Sequence, residues 1–321
     1  MPIKNDVRIG QRRMSRKAFI GMIVGFILLA LFLVAFGFCN RDIKAARNRL
    51  AGIPSEVYSS MHSEIEYHLI GDGPVVLVSH GVTGGIDQGM FLANNFFGTN
   101  HRFLYISRFG YLKSSLPEDA SARLQATAYK DLLDHLGIDQ VFLYGNSAGG
   151  PSTMWFAIDY PERTKGLILH SSAGPGLNDE FPPNLLFKHN FPYWSAIKAA
   201  PNMILGFLLP DEIRSTMTDQ EKSLIIKDVF MASLPITERT EGVIFDNGVS
   251  TPSVNDIPFE QIAAPTLILQ AEDDPREKEA GHAIAERIPE NDFIGLTGGH
   301  LLLRQDERIR AEIASFIEKY R

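Results

Sequence analysis

The chain has 321 residues, 45% of them apolar and 21% charged, a globular composition with enough apolar material for a substantial core. The net charge of −7 is unevenly placed: residues 1–50 hold ten Lys/Arg against two acids, and the remainder carries 21 bases against 36 acids. An acidic body repels phosphate backbones, so no nucleic acid is expected as a partner, and a lone cysteine, Cys39, excludes an intrachain disulfide.

Residues 1–17 form a basic tail. Residues 18–39 (AFIGMIVGFILLALFLVAFGFC) carry no charge. As a helix they span about 33 Å, enough to cross the hydrocarbon core of a bilayer. The run is longer than the apolar region of a cleaved signal peptide, and no A-x-A site follows it, so the reading is a transmembrane signal anchor. The bilayer is then a partner through 18–39. Six bases precede the span and four follow it (Arg41, Lys44, Arg47, Arg49), which favours a single-pass membrane protein with its body on the extracytoplasmic side. Residues 40–62, mixed and polar, read as a tether.

The body, 63–321, alternates strands and helices. Ile65–Leu69, Val75–Ser79, Arg102–Ser107, Gln140–Tyr144, Gly166–His170, Thr266–Gln270 and Phe293–Leu296 read as strands, several of them short apolar runs suited to burial on both faces. Ala122–Leu136, stopped by Gly137, then Ser147–Tyr160 and Arg308–Tyr320 read as helices. This alternation predicts a mostly parallel central sheet with helices on both faces. From about Pro175 to Ile257 the pattern breaks into a stretch rich in Pro and aromatics (Phe181, Phe187, Phe191, Tyr193, Trp194, Phe207), with helical pieces such as Asp219–Met231. It is too long for a loop and is expected to be a helical lid inserted between two strands.

Gly145-Asn146-Ser147-Ala148-Gly149 fits G-x-S-x-G, and a buried strand runs into it while a helix runs out. That setting forces a serine into a sharp turn whose neighbours must be small, and Pro151 falls in the first helical turn, where its missing N–H is harmless. Ser147 is the candidate nucleophile. A serine hydroxyl needs a base. Of the histidines after it, His170 ends a strand, His189 lies in the lid and His282 in a charged helix, while His300 follows Gly298-Gly299 in a loop after the last strand. His300 is the candidate base. The acid is expected after the TLILQ strand, where Glu272, Asp273 and Asp274 stand together. The oxyanion donors are expected at the backbone N–H of Ala148 and in the loop His80–Gly85, at Val82. That loop lacks the spacing of a dinucleotide or Walker phosphate cradle, and no cofactor and no metal are expected.

The motifs SHGVTGGIDQ, SRFGYL, YGNSAGG, PTLILQAEDDP and GGH, in that order from about Ile65 onward, resemble the α/β-hydrolase superfamily, and within it lid-bearing serine esterases, enol-lactone hydrolases and proline iminopeptidase-like enzymes. The resemblance implies an α/β-hydrolase fold with Ser147, Asp274 and His300 as catalytic residues, and Val82 and Ala148 as the oxyanion hole. Asp274 is preferred over Asp273 because members place this acid three residues past the small residue ending the strand. Ala271 stands there where many members have Gly. The expected function is a serine hydrolase cleaving a carboxylic ester, lactone or thioester of a small, apolar substrate through an acyl-enzyme. The alternatives are an aminopeptidase of the proline iminopeptidase type and a catalytically silent binding protein on the same fold; the presence of Ser, acid and His together argues against the latter.

Overall fold

The short apolar runs become one eight-stranded sheet in the computed structural model, which describes residues 15–176, 184–274 and 278–321. The tail residues Lys4, Arg8, Arg12 and Arg13, the lid's Phe181, and Pro275 lie outside the described residues. The strands are β1 (Glu56–Ser59), β2 (Glu64–Gly71), β3 (Val75–Ser79), β4 (Arg102–Ile106), β5 (Val141–Asn146), β6 (Thr164–His170), β7 (Thr266–Ala271) and β8 (Asn291–Leu296), in the order β1-β2-β4-β3-β5-β6-β7-β8. β1 and β2 pair antiparallel, as do β2 and β4; every other pairing is parallel.

The helices are α1 (Arg16–Ala51), α2 (Ile86–Phe96), α3 (Ala122–His135), α4 (Gly150–Asp159), α5 (Asn190–Ala199), α6 (Pro201–Leu205), α7 (Asp211–Thr216), α8 (Asp219–Ile225), α9 (Thr240–Phe245), α10 (Lys278–Ala285) and α11 (Asp306–Tyr320). Successive strand residues point to opposite faces. Leu77, Leu143, Leu167 and Ile268 therefore meet α3, α4 and α10 on one side, while Val76, Phe142, Tyr144 and Leu267 meet α2 and α11 on the other. The Ser121 hydroxyl caps α3 by accepting from the Leu124 N–H at 3.0 Å, and Gly137, at φ +64°, ends it as expected.

Between β6 and β7 the described residues form only short helices, α5 to α9, joined by tighter turns. The expected helix over Asp219–Met231 begins at Asp219 but leaves α-helical geometry after Ile225, passing through a π-turn and a 3₁₀ turn to Ser233.

The tether reading of 40–62 is corrected by the structure. Residues 40–51 continue α1, and Glu56–Ser59 is an edge strand. The segment Arg41–Leu50 holds good helix formers and neither Gly nor Pro, so nothing stops the helix. Cys39, Ile43 and Ala46, at i, i+4 and i+7, form a narrow buried stripe against the helical insertion, whereas residues 18–34 are exposed. α1 is thus a single rod of 36 residues, about 54 Å long.

Phe142 on β5 is fully buried and its ring meets Phe316 of α11 at 6.4 Å. Phe142→Ala is expected to lower stability by about 3–5 kcal/mol, read as a shift in the midpoint of equilibrium urea unfolding of the full chain.

Candidate active site

β5 ends at Asn146 and the chain turns at Ser147, which sits at φ +49°. A single 3₁₀ turn, Ser147–Gly149, leads into α4. That φ is strained for any residue with a Cβ. It is held by the Ala173 N–H donating to the Ser147 carbonyl at 3.1 Å and by the Asn146 amide donating to the His170 carbonyl at 3.1 Å. Gly149 allows the turn to press against the end of β3: a Cβ there would lie 2.3 Å from the Ser79 carbonyl oxygen and 2.6 Å from that of His80. The serine is thereby raised above the carboxyl ends of the parallel strands, where open α/β sheets offer their crevice.

The loop after β8 brings His300 to it. Gly298 (φ +117°) and Gly299 (φ +62°) adopt left-handed geometry, and both of their N–H groups donate to the Asp273 carboxylate at 2.9–3.1 Å. The His300 N–H donates to the Leu208 carbonyl at 2.8 Å. The ring's Nε2 then stands 3.1 Å from Ser147 Oγ, and its Nδ1 stands 3.4 Å from Oδ2 of the buried Asp274. The two neighbouring acids are separated by geometry: Asp273 clasps the backbone that carries His300, and Asp274 faces its imidazole. Of the other histidines, His189 and His282 are exposed and His170 is buried beside the site, its Nδ1 paired with the Tyr144 hydroxyl at 2.5 Å.

The loop His80–Gly85 lies against the serine. Val82 lines the same cavity as Ser147 and His300, and Ala148 is the next residue of the elbow. Several buried groups brace this loop. His80 donates from Nδ1 to the Gly81 carbonyl at 2.7 Å and accepts the Arg108 N–H at Nε2 at 3.0 Å. Burial and the neighbouring Arg108 hold its pKa well below the usual histidine range, which keeps the ring neutral and Nε2 free to accept. Gln88 accepts the Gly81 N–H at 2.7 Å, and Arg239 donates to the Gly84 carbonyl while pairing with Asp87 at 2.8 Å. Asp87 is buried yet held ionised by Arg239 and by Arg49 of α1, 2.7 Å away. A second network joins Arg108, bidentate to Asp246 at 2.5 and 2.6 Å, with the Tyr111 hydroxyl, which donates to Asp246 at 2.5 Å and accepts from the Thr83 N–H.

Two adjoining cavities flank His300, and Ser147 lines the first of them. One, about 160 Å³, is apolar and runs beneath the insertion, with Phe187, Tyr193, Ile197, Ile204, Phe207 and Phe230 in its wall. The other, about 510 Å³, shares Thr83, Asn146 and His300 with it but turns toward Arg49, Asp228 and Asp306. The aromatics expected in the lid divide accordingly. Phe187, Tyr193 and Phe207 face the cavity, whereas Phe191 and Trp194 pack on α1. Among the described residues no group of three or more His, Cys, Asp or Glu gathers at metal-binding spacing.

A family model described as alpha/beta hydrolase fold matches residues 74–199. Over 134 residues the chain is 33% identical to a 2-hydroxy-6-oxo-6-phenylhexa-2,4-dienoate hydrolase from Comamonas testosteroni, covering 39% of this chain and 47% of that protein. It is also 33% identical over 121 residues to the enzyme of the same name from Burkholderia cepacia, covering 36% of this chain and 42% of that one. The chain therefore matches less than half the length of these curated relatives. Among solved structures, an alpha/beta hydrolase fold protein from Nakamurella multipartita superimposes with a TM-score of 0.63 at 22% identity, over 81% of this chain and 98% of that one. A thermophilic esterase from Thermogutta terrifontis gives 0.58 at 21% identity over 83% and 98%. A meta-cleavage product hydrolase from Pseudomonas fluorescens gives 0.59 at 18% identity over 83% and 98%. The family model and these structural likenesses together show that the body of the chain has the α/β-hydrolase fold.

Sequence reasoning did not single out Asp87, Tyr111, Arg239 or Asp246. Their signal is three-dimensional, since Arg108 and Asp246 are 138 residues apart and Asp87 and Arg239 are 152 apart. Asp246→Leu, which strands Arg108 in a fully buried site, is expected to cost about 3–5 kcal/mol, and the double change Arg108→Met with Asp246→Leu to recover most of it; thermal unfolding of the three proteins checks this. Burial, reinforced by nearby His300, pushes His170 down from the ordinary 6.5 to about 3. Between those two pH values the unfolded chain binds a proton that the folded chain refuses, so stability present above pH 6.5 is lost as the pH falls through that window. Urea midpoints measured at falling pH are expected to drop more steeply for the natural protein than for His170→Gln.

Proposed function

We propose that the chain is a membrane-anchored serine hydrolase cleaving the carboxylic ester, lactone or thioester of a small, apolar acyl substrate through an acyl-enzyme. The observation that carries this reading is the 3.1 Å approach of His300 Nε2 to Ser147 Oγ at a strained elbow. In the proposed sequence His300 takes the Ser147 proton as the oxygen attacks the substrate carbonyl. Asp274 holds the imidazole in one tautomer and stabilises its cation. The backbone N–H groups of Val82 and Ala148 bind the developing oxyanion, each contribution of this kind being worth about 100- to 1000-fold in rate. His300 returns the proton to the departing oxygen or sulfur, and water then repeats the attack on the acyl-Ser147 ester. The apolar cavity beneath the insertion supports an apolar acyl group, and the helices α5 to α9 act as the lid.

The anchor is the apolar part of α1, with residues 18–39 in the bilayer and the hydrolase body on the extracytoplasmic side. One helix of adequate length and hydropathy supports this, together with the heavier basic charge before it.

The relatives' names supply a second reading, hydrolysis of a carbon–carbon bond in an oxo-dienoate. Such a substrate bears a carboxylate, which calls for an unengaged cation. Among the described residues the apolar cavity has no Arg or Lys in its wall, and Arg49 and Arg239 in the other are already paired with Asp87. This favours the ester reading. An aminopeptidase would need a carboxylate for the substrate amine; among the described residues the apolar cavity has none in its wall, while Asp228 and Asp306 flank the second.

A fluorophosphonate probe is expected to label Ser147, and Ser147→Ala to lose labelling and turnover, the latter by roughly a millionfold. A panel of esters, lactones, aminoacyl amides and oxo-dienoates then ranks the substrate classes. Labelling at a different serine of the folded protein removes the assignment. Ester turnover is expected to fall on the acid side as His300 gains a proton and can no longer accept that of Ser147; His80 and His170, both held neutral by burial, leave that limb to His300.

A further inference from the structure

We propose that the helical insertion rests in the interfacial layer of the bilayer crossed by α1, and that the apolar cavity receives the acyl chain of a single-chain amphiphilic ester from that bilayer. This deepens the membrane-anchored ester hydrolase reading and rests on it.

The depth of one residue carries the argument. Phe191 of α5 packs its ring against Phe32 at 5.2 Å and Phe36 at 5.7 Å. Both partners belong to the uncharged run 18–39, and Phe32 lies seven residues, about 10 Å, inside its end at Cys39. If that run spans the hydrocarbon, the tip of α5 is at or below the headgroups. The contact is rigid: α1 has no break between Phe32 and the stripe Cys39, Ile43 and Ala46 that docks on the insertion, and the Trp194 indole N–H donates to Asp42 at 2.9 Å. Trp194 and Lys198, 5.9 Å apart, suit the boundary between apolar chains and charged headgroups. The segments flanking α5 expose apolar side chains of the same kind, Leu185 (67% exposed) before it and Met203 (60% exposed) after it. A protein partner would have to occupy space that the bilayer around α1 already fills.

The other face of α5 connects this surface to the chemistry. Tyr193, Ala196 and Ile197 line the apolar cavity, so a single helix separates the membrane-level aromatics from the acyl site. Phe207 belongs to both the cavity wall and the exposed surface. The second cavity adjoins the apolar one at Thr83, Asn146 and His300 and ends among Arg49, Asp228 and Asp306. A substrate with one apolar chain and one hydrophilic head, joined by the scissile ester, fits the two limbs with its carbonyl at Ser147. Cleavage breaks the acyl C–O bond, leaves the acyl group on Ser147 Oγ and releases the polar alcohol with the proton from His300; water then frees the fatty acid.

The test uses the full chain in liposomes. In a Cys39→Ala background, an environment-sensitive fluorophore is placed at Met203→Cys or, as control, at Glu318→Cys on α11, whose neighbour Lys319 pairs with Asp292 at the far end of β8. Lipids carrying a shallow nitroxide are expected to quench the label at 203 at least about threefold more than that at 318; equal quenching overturns the docking. In parallel, the double variant Leu185→Asp with Met203→Asp is expected to hydrolyse a monoacyl ester dissolved in the vesicles about tenfold more slowly, a loss of roughly 1.4 kcal/mol, while turnover of a water-soluble acetyl ester is unchanged. Equal rates on the vesicle substrate overturn the lipid-borne substrate. Absence of both acetyl-ester turnover and fluorophosphonate labelling counts against the hydrolase reading instead, and the quenching result stands independently of it.

Discussion

The closeness of Gly149 to the carbonyl oxygens of Ser79 and His80 is the constraint on which the site depends. It locks the elbow after β5 onto the end of β3, the neighbouring parallel strand. With that contact, the loop leaving β3 and the turn leaving β5 emerge side by side, and Ser147 shares a cavity wall with Val82. A single added methyl would drive the two strand ends apart by more than the tolerance of a hydrogen bond. The left-handed backbone of Ser147 follows from the same crowding, because the chain has no other way to reverse into α4 within three residues.

A loop rich in glycine does not hold itself. His80–Gly85 is braced from below by neutral His80 and from the side by two buried charged networks, and one short helix supplies a partner to each. Arg239 stands at the N-cap of α9 and Asp246 at its C-cap. Both positions oppose the helix dipole, which favours an acid at the start and a base at the end. The placement is therefore explained by what they reach: Arg239 meets Asp87 and Gly84, and Asp246 meets Arg108 and Tyr111. Buried ion pairs add little net stability, since desolvation offsets most of the attraction, but each fixes register because the unpaired alternative is so unfavourable. Here they fix the insertion against the sheet at the level of the serine.

Much of this was legible in the sequence, and the limits have physical causes. The buried parallel strands announce themselves as short apolar runs because both faces are covered, and the elbow shows because its turn admits only small neighbours. His300 could be sought after the last strand because chain order restricts where a base can come from. The sequence does not separate Asp273 from Asp274, because both follow the same strand; what distinguishes them is three-dimensional, the Gly298 and Gly299 N–H groups donating to Asp273 while Asp274 faces the His300 ring. The edge strand β1 was hidden because an edge exposed to water keeps few apolar residues. The end of α1 was hidden for the opposite reason: a stripe of only Cys39, Ile43 and Ala46 is too narrow to stand out among four bases. Charge pairs across more than a hundred residues leave no local trace.

That misread end of α1 changes how the molecule is put together. A flexible tether would leave the body free to rotate against the apolar segment. Instead the last turns of α1 enter the braced loop: Arg49 donates to the Ala232 carbonyl and to Asp87, Asp87 pairs with Arg239, and Arg239 holds the Gly84 carbonyl. The Asp87 side chain is only 6% exposed, so neither arginine can be withdrawn without leaving its charge under-compensated. Arg47 adds a surface contact to Glu238, and such exposed pairs are worth about 0–1 kcal/mol at most, so the direction of the helix is set by the pairing of Arg49 with the enclosed Asp87 carboxylate and by the Trp194–Asp42 bond rather than by this one. The axis of the apolar segment and the floor of the site thus share one set of charges, and the cavity beneath α5 keeps a fixed aspect toward whatever surrounds residues 18–39.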